Sequence, residues 1–321
     1  MKTISITMLL VVIMSFTAMA DAQDYPTKPV KVIIPFSAGS ATDIIARGVS
    51  KQLSELWGQP VVGENLSGKG GTVAASVVAQ APPDGYTLFM HSSAYVINPS
   101  LNSNLPYNPS RDFTDIAPLV RQPLALVVDP SSGIKSVSAL IALVKSKPGQ
   151  LKFGSPGTGS AAHLTAEKFR LATGINIEHV PFKGGPETVA AINAREVIFS
   201  FLPMAFAKKS VGKGKLLVLG VTSMQRSSAM PTVPTIAEEG LAGFEYNHWW
   251  GLWGPADIPA NVVDKIEKDV ALSLATPELR KLFSKIGAEP MSMTSAEFAK
   301  FVRNEMESVA RIAQEAGIKP E

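Results

Sequence analysis

The chain contains 321 residues, among them 30 lysines and arginines, 27 aspartates and glutamates, and no cysteine. Its formal net charge of +3 is small and its basic residues are scattered, which argues against nucleic-acid binding, since that requires clustered positive charge. The absence of cysteine excludes disulfides, thiol nucleophiles and thiolate metal sites. A chain of this length can form two domains.

The first residues have the pattern of a secretory signal peptide. Lys2 precedes an apolar stretch at 4–15, and two small-residue motifs, Ala18-Met19-Ala20 and Ala20-Asp21-Ala22, follow it. We predict cleavage after Ala22, so that residues 1–22 are removed and the mature protein is exported. A single membrane helix is the alternative, but the apolar run ends before the about 20 residues that a bilayer core requires.

Beyond this segment, β-rich runs alternate with amphipathic runs. The strand-like runs are PVKVIIPF, QPVVGEN, GYTLFMH, PLALVVDP, LKFGS, INIEHVPF and LLVLGVTS. Helices are predicted at 41–57, 72–81, 136–146, 160–172, 186–194, 259–274, 277–287 and 295–317. Strands that alternate with helices indicate an α/β fold in which helices cover parallel sheets.

The chain is expected to form two lobes. Strand-like segments near 122–128 and 216–221 can cross between lobes without long linkers. Residues 23–122 and 222–321 then form a discontinuous first lobe, and residues 123–221 form the second.

Three predicted strand-to-helix turns are rich in small residues. They are PFSAGSATD at 35–43, FGSPGTGSAAH at 153–163 and PFKGGPET at 181–188. Such turns lie at the sheet edge where ligands bind, and a helix N-terminus there offers unpaired N–H groups that favour an anion. Hydroxyl donors are available at Ser37, Ser40, Thr158 and Ser160. Glycine and serine can instead serve only to allow tight connections, but the occurrence of three such turns favours an anion site.

Two side chains beside these turns have specific expected roles. Ser40 and Asp43 have the spacing of a capping box, so the Asp43 carboxylate is expected to bind the Ser40 amide and shape the loop. His163 lies at the third position of the second helix, where it can face the cavity as a donor or be a partly exposed helix residue. The other three histidines lack the spacing of metal ligands, so we predict no metal site.

The second turn also permits enzyme interpretations. Residues Gly157–Ala162 fit the G-x-G-x-x-A pattern of dinucleotide-binding folds, and Glu178 lies 21 residues beyond the first glycine, where a ribose-binding acid can lie. Against this, two residues separate the strand from the motif, more strand follows Glu178, and an exported protein has poor access to NAD. A serine hydrolase is disfavoured because G-x-S-x-G is absent and Ser160 and His163 are helical neighbours. We expect neither enzymatic activity nor a cofactor.

Many blocks occur in a fixed order along nearly the whole mature chain. They include YPTKPVKVIIPFSAG, GQPVVGEN, PPDGYTLFM, LPYNPSRDFT, KSKPGQLKFGSPGTGSAAHLTAEKF, HVPFKGG, PTVPTIAEEG and WWGLWGPADIP. In this order the chain resembles the Bug or TctC family, the periplasmic solute-binding proteins of tripartite tricarboxylate transporters. The resemblance implies a two-lobed periplasmic binding protein, type II-like, in which each lobe is a mainly parallel sheet flanked by helices and the ligand cleft lies between the lobes.

The resemblance also implies ligand-binding residues. Members of the family hold carboxylates through the loop after the first strand and the Gly/Ser/Thr turn of the second lobe. Those elements fall here on Phe36, Ala38, Gly39, Ser40, Gly157, Thr158, Ser160 and His163. The predicted set is completed by Ser93, Asn98 and Phe182.

Two departures from the family pattern bear on the ligand. Ser40 follows Gly39 where relatives often have a second glycine, and the segment AREVIFSFLPMA lacks the acidic residue that relatives commonly place after G-x-V. Because an aspartate there can recognise an amino group, its absence makes an amino acid ligand less favourable. Phe36 and Phe182 can flank a planar ring, so terephthalate ranks beside aliphatic di- and tricarboxylates, unless both rings belong to the core.

The predicted function is that of a monomeric periplasmic receptor. It captures a small carboxylate, closes by hinge motion and delivers the ligand to the membrane permease subunits of a tripartite tricarboxylate transporter. The alternatives are a ligand sensor that signals through a membrane partner without transport, and the dinucleotide-dependent enzyme considered above.

Overall fold

The computed structural model describes residues 25–318 and residue 320. The predicted signal peptide and its cleavage site lie outside these residues. Among the helices that are described, none combines the length and the hydropathy that crossing a bilayer requires.

Strands and helices alternate along the described residues. The strands are β1 (Val30–Ile34), β2 (Val61–Asn65), β3 (Thr87–Ser92), β4 (Phe113–Val128), β5 (Lys152–Ser155), β6 (Glu178–Pro181), β7 (Phe199–Pro203), β8 (Leu217–Val221), β9 (Asn247–Pro255) and β10 (Glu289–Pro290). The helices are α1 (Ala41–Trp57), α2 (Thr72–Ala79), α3 (Ala94–Leu101), α4 (Val137–Ser146), α5 (Ala161–Thr173), α6 (Gly185–Asn193), α7 (Met204–Val211), α8 (Ala260–Leu274), α9 (Pro277–Ile286) and α10 (Ser295–Glu315). This alternation confirms the α/β class.

The long strand β4 connects two halves of one sheet. The strand order is β2-β1-β3-β9-β4-β7-β5-β6, with β8 and β10 also paired to β4. From Phe113 to Pro123, β4 pairs with β9, and from Leu124 to Val128 it pairs with β7. The change of partner marks where the chain crosses from one half to the other. The lobe boundaries themselves remain a prediction.

Each half of the sheet is mixed rather than mainly parallel. Strands β1, β2 and β3 are parallel to one another in the first half, as are β5, β6 and β7 in the second. In the first half β9 is antiparallel to both β3 and β4, and in the second half β4 is antiparallel to β7 and β8. The reason is that β4 carries the chain out of the first half and β9 carries it back, so the two crossing strands run in opposite directions.

Strand β9 contributes three buried tryptophans to the packing around the crossing. Successive side chains of a strand point to opposite faces, so Trp249 and Trp253 pack towards α10, whereas Trp250 packs towards α1 and α8. Each is at most 1% exposed, and each indole N–H is bonded. The acceptors are Glu305 for Trp249, Thr42 for Trp250 and Asp115 for Trp253. This aromatic run therefore belongs to the core.

Candidate functional site

The first small-residue loop, residues 36–40, connects β1 to α1. Ser40 is the N-cap of α1, with φ −67° and ψ 161°, and its Oγ accepts a hydrogen bond from the Asp43 amide at 3.2 Å. The Asp43 carboxylate accepts the Gly39 amide at 2.9 Å. A capping box would use the Ser40 amide, but that amide donates to the Ser37 carbonyl at 3.2 Å. Asp43 therefore fixes the loop one residue further from the helix than the spacing predicts.

The negative charge of Asp43 is compensated within the protein. Its Oδ1 accepts hydrogen bonds from Asn65 Nδ2 at 2.8 Å and from Arg47 Nε at 2.9 Å. Burial raises the pKa of the Asp43 carboxyl, but the hydrogen bonds from Gly39 and Asn65 and the charge of Arg47 outweigh burial and lower it. An anion at this loop therefore does not face an uncompensated carboxylate.

The second loop, residues 156–160, repeats this geometry before α5. Ser160 is the N-cap, and its Oγ accepts the His163 amide at 3.2 Å. His163 Nδ1 accepts the Gly159 amide at 3.0 Å, so the ring proton is on Nε2, which faces Glu167 Oε1 at 3.6 Å. The His163 side chain is only 3% exposed. His163 was expected to face the cavity as a donor. Instead its ring is buried, and its Nδ1 accepts a hydrogen bond from the loop amide of Gly159.

A cluster of polar side chains lies beneath the second loop. Arg170 Nε donates to Glu167 at 2.6 Å. Burial raises the pKa of Glu167, but its contacts with His163 and Arg170 outweigh burial and lower it. The His179 ring stacks on the His163 ring with 3.7 Å between centroids, and its Nε2 lies 2.7 Å from Ser155 Oγ. Burial, with a smaller effect of His163, lowers the pKa of His179 to about 4. The His179 ring is therefore neutral at neutral pH.

The third small-residue turn also binds one of its own amides. Glu187 Oε2 accepts the Lys183 amide at 3.0 Å. In all three turns, a side chain in the first turn of the helix thus binds the amide four residues earlier. Within the described residues, the amides of Ala38 and Thr158 have no hydrogen-bond partner, and both residues are exposed. These two amides are main-chain donors that the first two loops can offer to a ligand.

The loop hydroxyls are not equally available. Ser160 Oγ donates to the Gly157 carbonyl at 2.7 Å, so its proton is already used. Ser40 Oγ accepts a hydrogen bond and, among the described residues, donates none. Ser37 and Thr158 are exposed. The predicted hydroxyl donors therefore reduce to Ser37, Ser40 and Thr158.

Helix α3 links the second loop to a glycine-rich segment, residues 68–71. Asn98 Nδ2 donates to the Gly70 carbonyl at 3.0 Å. At the end of the same helix, Leu101 lies so close to Gly159 that a Cβ on this glycine would overlap Leu101 Cδ1. Asn98 is therefore a residue that orders the backbone beside the loops, and Leu101 joins α3 to the second loop.

The other predicted residues are largely engaged in packing. The Phe36 ring meets the buried His91 ring edge-on, with centroids 5.4 Å apart. Ser93 is 1% exposed, and its Oγ lies 2.7 Å from His248 Nδ1. The Phe182 ring packs over the backbone of β5, and its amide donates to β5 at 2.9 Å. Burial lowers the pKa of His91 to about 3 and of His248 to about 4, so neither ring supplies positive charge at neutral pH.

Sequence reasoning missed the segment 68–71. The sequence GKGG contained the signal, because glycines are required where the backbone adopts positive φ or approaches another group closely. Gly68, Gly70 and Gly71 have φ of 152°, 63° and 98°. A Cβ on Gly71 would overlap His91 Nε2, which explains why position 71 cannot carry a side chain.

The chain matches a family model described as "Tripartite tricarboxylate transporter family receptor" over residues 45–318. The chain belongs to this family. The receptor is 32% identical to the protein BugT of Bordetella pertussis, over 98% of this chain and 99% of that protein. Members of the family are periplasmic solute-binding receptors and not enzymes.

Solved structures are similar to the receptor over nearly its whole length. An R. palustris protein solved with adipate is 32% identical, with a TM-score of 0.77, covering 93% of this chain and 100% of that chain. MatC from Rhodopseudomonas palustris, solved with bound malate, is 28% identical, with a TM-score of 0.72, covering 90% of this chain and 99% of that chain. These similarities confirm the periplasmic binding protein fold.

The second loop of the receptor does not have the geometry of a dinucleotide site. Glu178 is the first residue of β6 and pairs at 3.5 Å with Lys152, the first residue of β5. It therefore lies at the amino ends of these strands, whereas dinucleotides bind at the carboxyl ends. The dinucleotide interpretation is wrong because the strand continues beyond Glu178 instead of ending there.

Proposed function

We propose that the receptor captures a small dicarboxylate between its two lobes and delivers it to the membrane permease subunits of a tripartite tricarboxylate transporter. The observation that carries the proposal is the matched pair of loops. Each loop has an inner amide bound by its own helix, at Gly39 or Gly159, and an exposed amide beside it, at Ala38 or Thr158. Amides at helix N-termini bind carboxylates through N–H groups and the helix dipole.

The electrostatics of the loops support an anionic ligand. The Asp43 carboxylate forms an ion pair with Arg47, and the Glu167 carboxylate forms one with Arg170. The negative charge beside each loop is therefore compensated within the protein. The ligand charge is then met by amide dipoles and hydroxyls, which require no net positive charge in the cleft. This fits a ligand that must be released again to a membrane partner.

We propose an aliphatic dicarboxylate as the ligand, ahead of terephthalate. The similarity to proteins solved with adipate and with malate supports this class. Phe36 is engaged with His91 and Phe182 with β5, so stacking a planar ring between them would require both contacts to change. An amino acid is a weaker candidate, because the nearest acidic side chain of the first loop, Asp43, is buried and fully bonded.

We further propose that the lobes are residues 23–122 with 222–321, and residues 123–221. The change of partner along β4 supports this division. At the same point, the Thr222 amide donates to the Leu124 carbonyl at 3.0 Å, and Thr222 Oγ1 accepts the Leu124 amide at 2.8 Å. Two crossing segments that are bonded to each other form a compact hinge about which the lobes can close.

The ligand proposal is tested by thermal unfolding with adipate, malate, citrate, terephthalate, aspartate and glutamate. A ligand at 100 times its dissociation constant stabilises the folded state by about 2.7 kcal/mol, which for a protein of this size raises the Tm by about 4 °C. We expect this shift with an aliphatic dicarboxylate. The absence of any shift with the carboxylates contradicts the function, and tighter binding of aspartate or glutamate contradicts the ligand class.

A matched pair of variants tests the site. Thr158→Val removes the exposed loop hydroxyl at nearly constant volume, and we expect dicarboxylate affinity to fall at least about tenfold, since hydrogen bonds to charged groups are worth about 1.5–3 kcal/mol. Thr232→Val changes an exposed threonine outside the three loops and should bind normally. Equal affinity of the two variants would exclude the Thr158 hydroxyl from the site.

A further inference from the structure

A cavity of about 440 Å³ lies on the face of β4 and β9 that α5 and α10 cover, and we call it the hinge cavity because β4 and β9 are the two crossing strands. Its walls include Arg121 from β4, Lys168 from α5, Trp249 from β9 and Glu305 from α10. None of the predicted dicarboxylate-binding residues lines it. The cavity is therefore separate from the site proposed above, and it has the volume of a small-molecule pocket.

Two opposite charges line this hinge cavity without binding each other. Lys168 Nζ donates one hydrogen bond, to the Glu245 carbonyl at 2.7 Å, and Glu305 accepts one, from Trp249 Nε1 at 3.1 Å. The ion pair at the cavity joins Arg121 to Glu245 at 3.9 Å, and within the described residues none joins Lys168 to Glu305. Burial lowers the pKa of Lys168 and raises the pKa of Glu305, because both groups have lost part of their hydration.

A third polar group in the cavity has an unmet hydrogen bond. Asn247 Nδ2 donates to Glu245 Oε1 at 2.8 Å, but Asn247 Oδ1 is buried and has no partner among the described residues. Buried polar atoms are rarely left unpaired, so this oxygen calls for a donor. The cavity thus presents spare donors on Lys168 and spare acceptors on Glu305 and Asn247.

The remaining wall of the cavity is apolar. It includes Trp249, Phe301, Met291 and Met293. Methionine side chains adapt to ligands of varied shape, and aromatic rings provide a flat apolar contact. An occupant therefore needs a polar end that carries both signs of charge and an apolar end.

We propose that the hinge cavity binds a small zwitterion with an apolar side chain, such as a hydrophobic α-amino acid. Its carboxylate accepts hydrogen bonds from Lys168, and its ammonium group donates to Glu305 and Asn247. Lys168 and Glu305 each have one neutral hydrogen-bond partner, so what each lacks is an oppositely charged partner. A simple anion supplies one to Lys168 alone, and a simple cation supplies one to Glu305 alone. Only a molecule with both charges supplies both missing partners.

Titration calorimetry of the mature protein, with the dicarboxylate site saturated by adipate or malate, tests this proposal. L-Methionine is the probe, N-acetyl-L-methionine lacks its positive charge, and 3-(methylthio)propylamine lacks its negative charge. We expect binding of L-methionine and at least about tenfold weaker binding of the two analogues. Equal binding of an analogue, or no binding of L-methionine at millimolar concentration, overturns the proposal.

Matched variants locate the site. Lys168→Met and Glu305→Gln should each weaken L-methionine binding at least about tenfold, whereas Lys300→Met and Glu307→Gln, on the exposed side of α10, should not. Unchanged binding in both cavity variants overturns the proposal, as does loss of binding in Thr158→Val, which would place the amino acid in the dicarboxylate site. If a cavity variant does not fold, crystals of the unchanged protein soaked with L-selenomethionine decide the question. Anomalous density for selenium should then lie in the cavity against Met291, Met293 and Phe301, and density elsewhere contradicts the assignment.

Discussion

Replacing Gly159 by alanine should destabilise the receptor more than the equivalent change at Gly39. Gly159 has φ 72° and Gly39 has φ 81°, so either alanine must adopt a left-handed backbone conformation. This costs about 1–2 kcal/mol of stability. A Cβ on Gly39 meets nothing within 4 Å, whereas a Cβ on Gly159 overlaps Leu101 Cδ1 and lies 3.3 Å from Leu101 Cγ. Overpacking of this kind adds about 1–3 kcal/mol. We expect Gly39→Ala to cost about 1–2 kcal/mol and Gly159→Ala about 2–5 kcal/mol.

The assay is urea unfolding followed by tryptophan fluorescence and by circular dichroism. Leu101→Ala supplies the control, because in that background the Cβ at residue 159 has room and only the backbone cost remains. The double variant should therefore show a favourable coupling energy of about 1–3 kcal/mol. If Gly159→Ala costs no more than Gly39→Ala, or if Leu101→Ala gives no coupling, then α3 does not press against the second loop as described.

Two further predictions concern Asp43, which binds the first loop, and the buried histidines. Asp43→Ala leaves the Gly39 amide unpaired and should lower the free energy of unfolding in urea by about 1–3 kcal/mol. Asp43→Asn keeps one acceptor oxygen, so its loss should be smaller. Equal losses in the two variants would exclude the acceptor role of Asp43. Burial lowers the pKa of His91 to about 3 and of His179 and His248 to about 4. Because the unfolded chain takes up these protons near pH 6.5 and the folded chain does not, stability should fall as pH drops from about 6.5 to 4, by up to about 4 kcal/mol per pH unit. A flat profile of unfolding free energy over that range contradicts their burial as neutral rings.

Helix positions were predictable where local signals were strong. Helix α1 spans Ala41–Trp57, as predicted, because Ser40 supplies the N-cap oxygen and Gly58 takes the left-handed conformation that ends the helix. Helix α10 begins at Ser295, as predicted, since Thr294 and Glu297 form a full capping box. These signals depend only on residues a few positions apart, so one sequence is sufficient to find them.

Elements that depend on tertiary packing were missed. Helix α3 is short and contains Pro99, which hides its helical period, yet it is held by the burial of Tyr95 and Ile97. Helix α7 is equally short and packs through Met204 and Ala207. Short helices are marginal in isolation, so their sequence carries little intrinsic signal. The antiparallel course of β9 was missed for a related reason, since strand direction follows from the path of the whole chain.

The three small-residue turns were predictable as a class, but the identity of their free donors was not. The predicted set contains Ala38 and Thr158 together with Gly39, but it does not separate bound amides from free ones. The side chains of Asp43 and His163 bind the Gly39 and Gly159 amides, whereas the amides of Ala38 and Thr158 have no such partner. In these loops the helix side chain binds the amide four residues before it, whereas a capping box binds the amide three residues before it. This difference decides which amide remains free.

The same turn is built from three different side chains, Asp43, His163 and Glu187, and this explains why one sequence pattern does not recognise all of them. Asp43 and His163 share the ability to accept a hydrogen bond through an atom that reaches back over the first helical turn. Each is steadied by a partner one turn later, Arg47 for the aspartate and Glu167 for the histidine. An acceptor oriented by an opposite or complementary group holds its loop rigidly, and a rigid loop loses little entropy when a ligand binds. What the loops share is therefore acceptor geometry and not residue type, so a search for such loops in related chains should allow Asp, Asn, Glu or His at the third helical position.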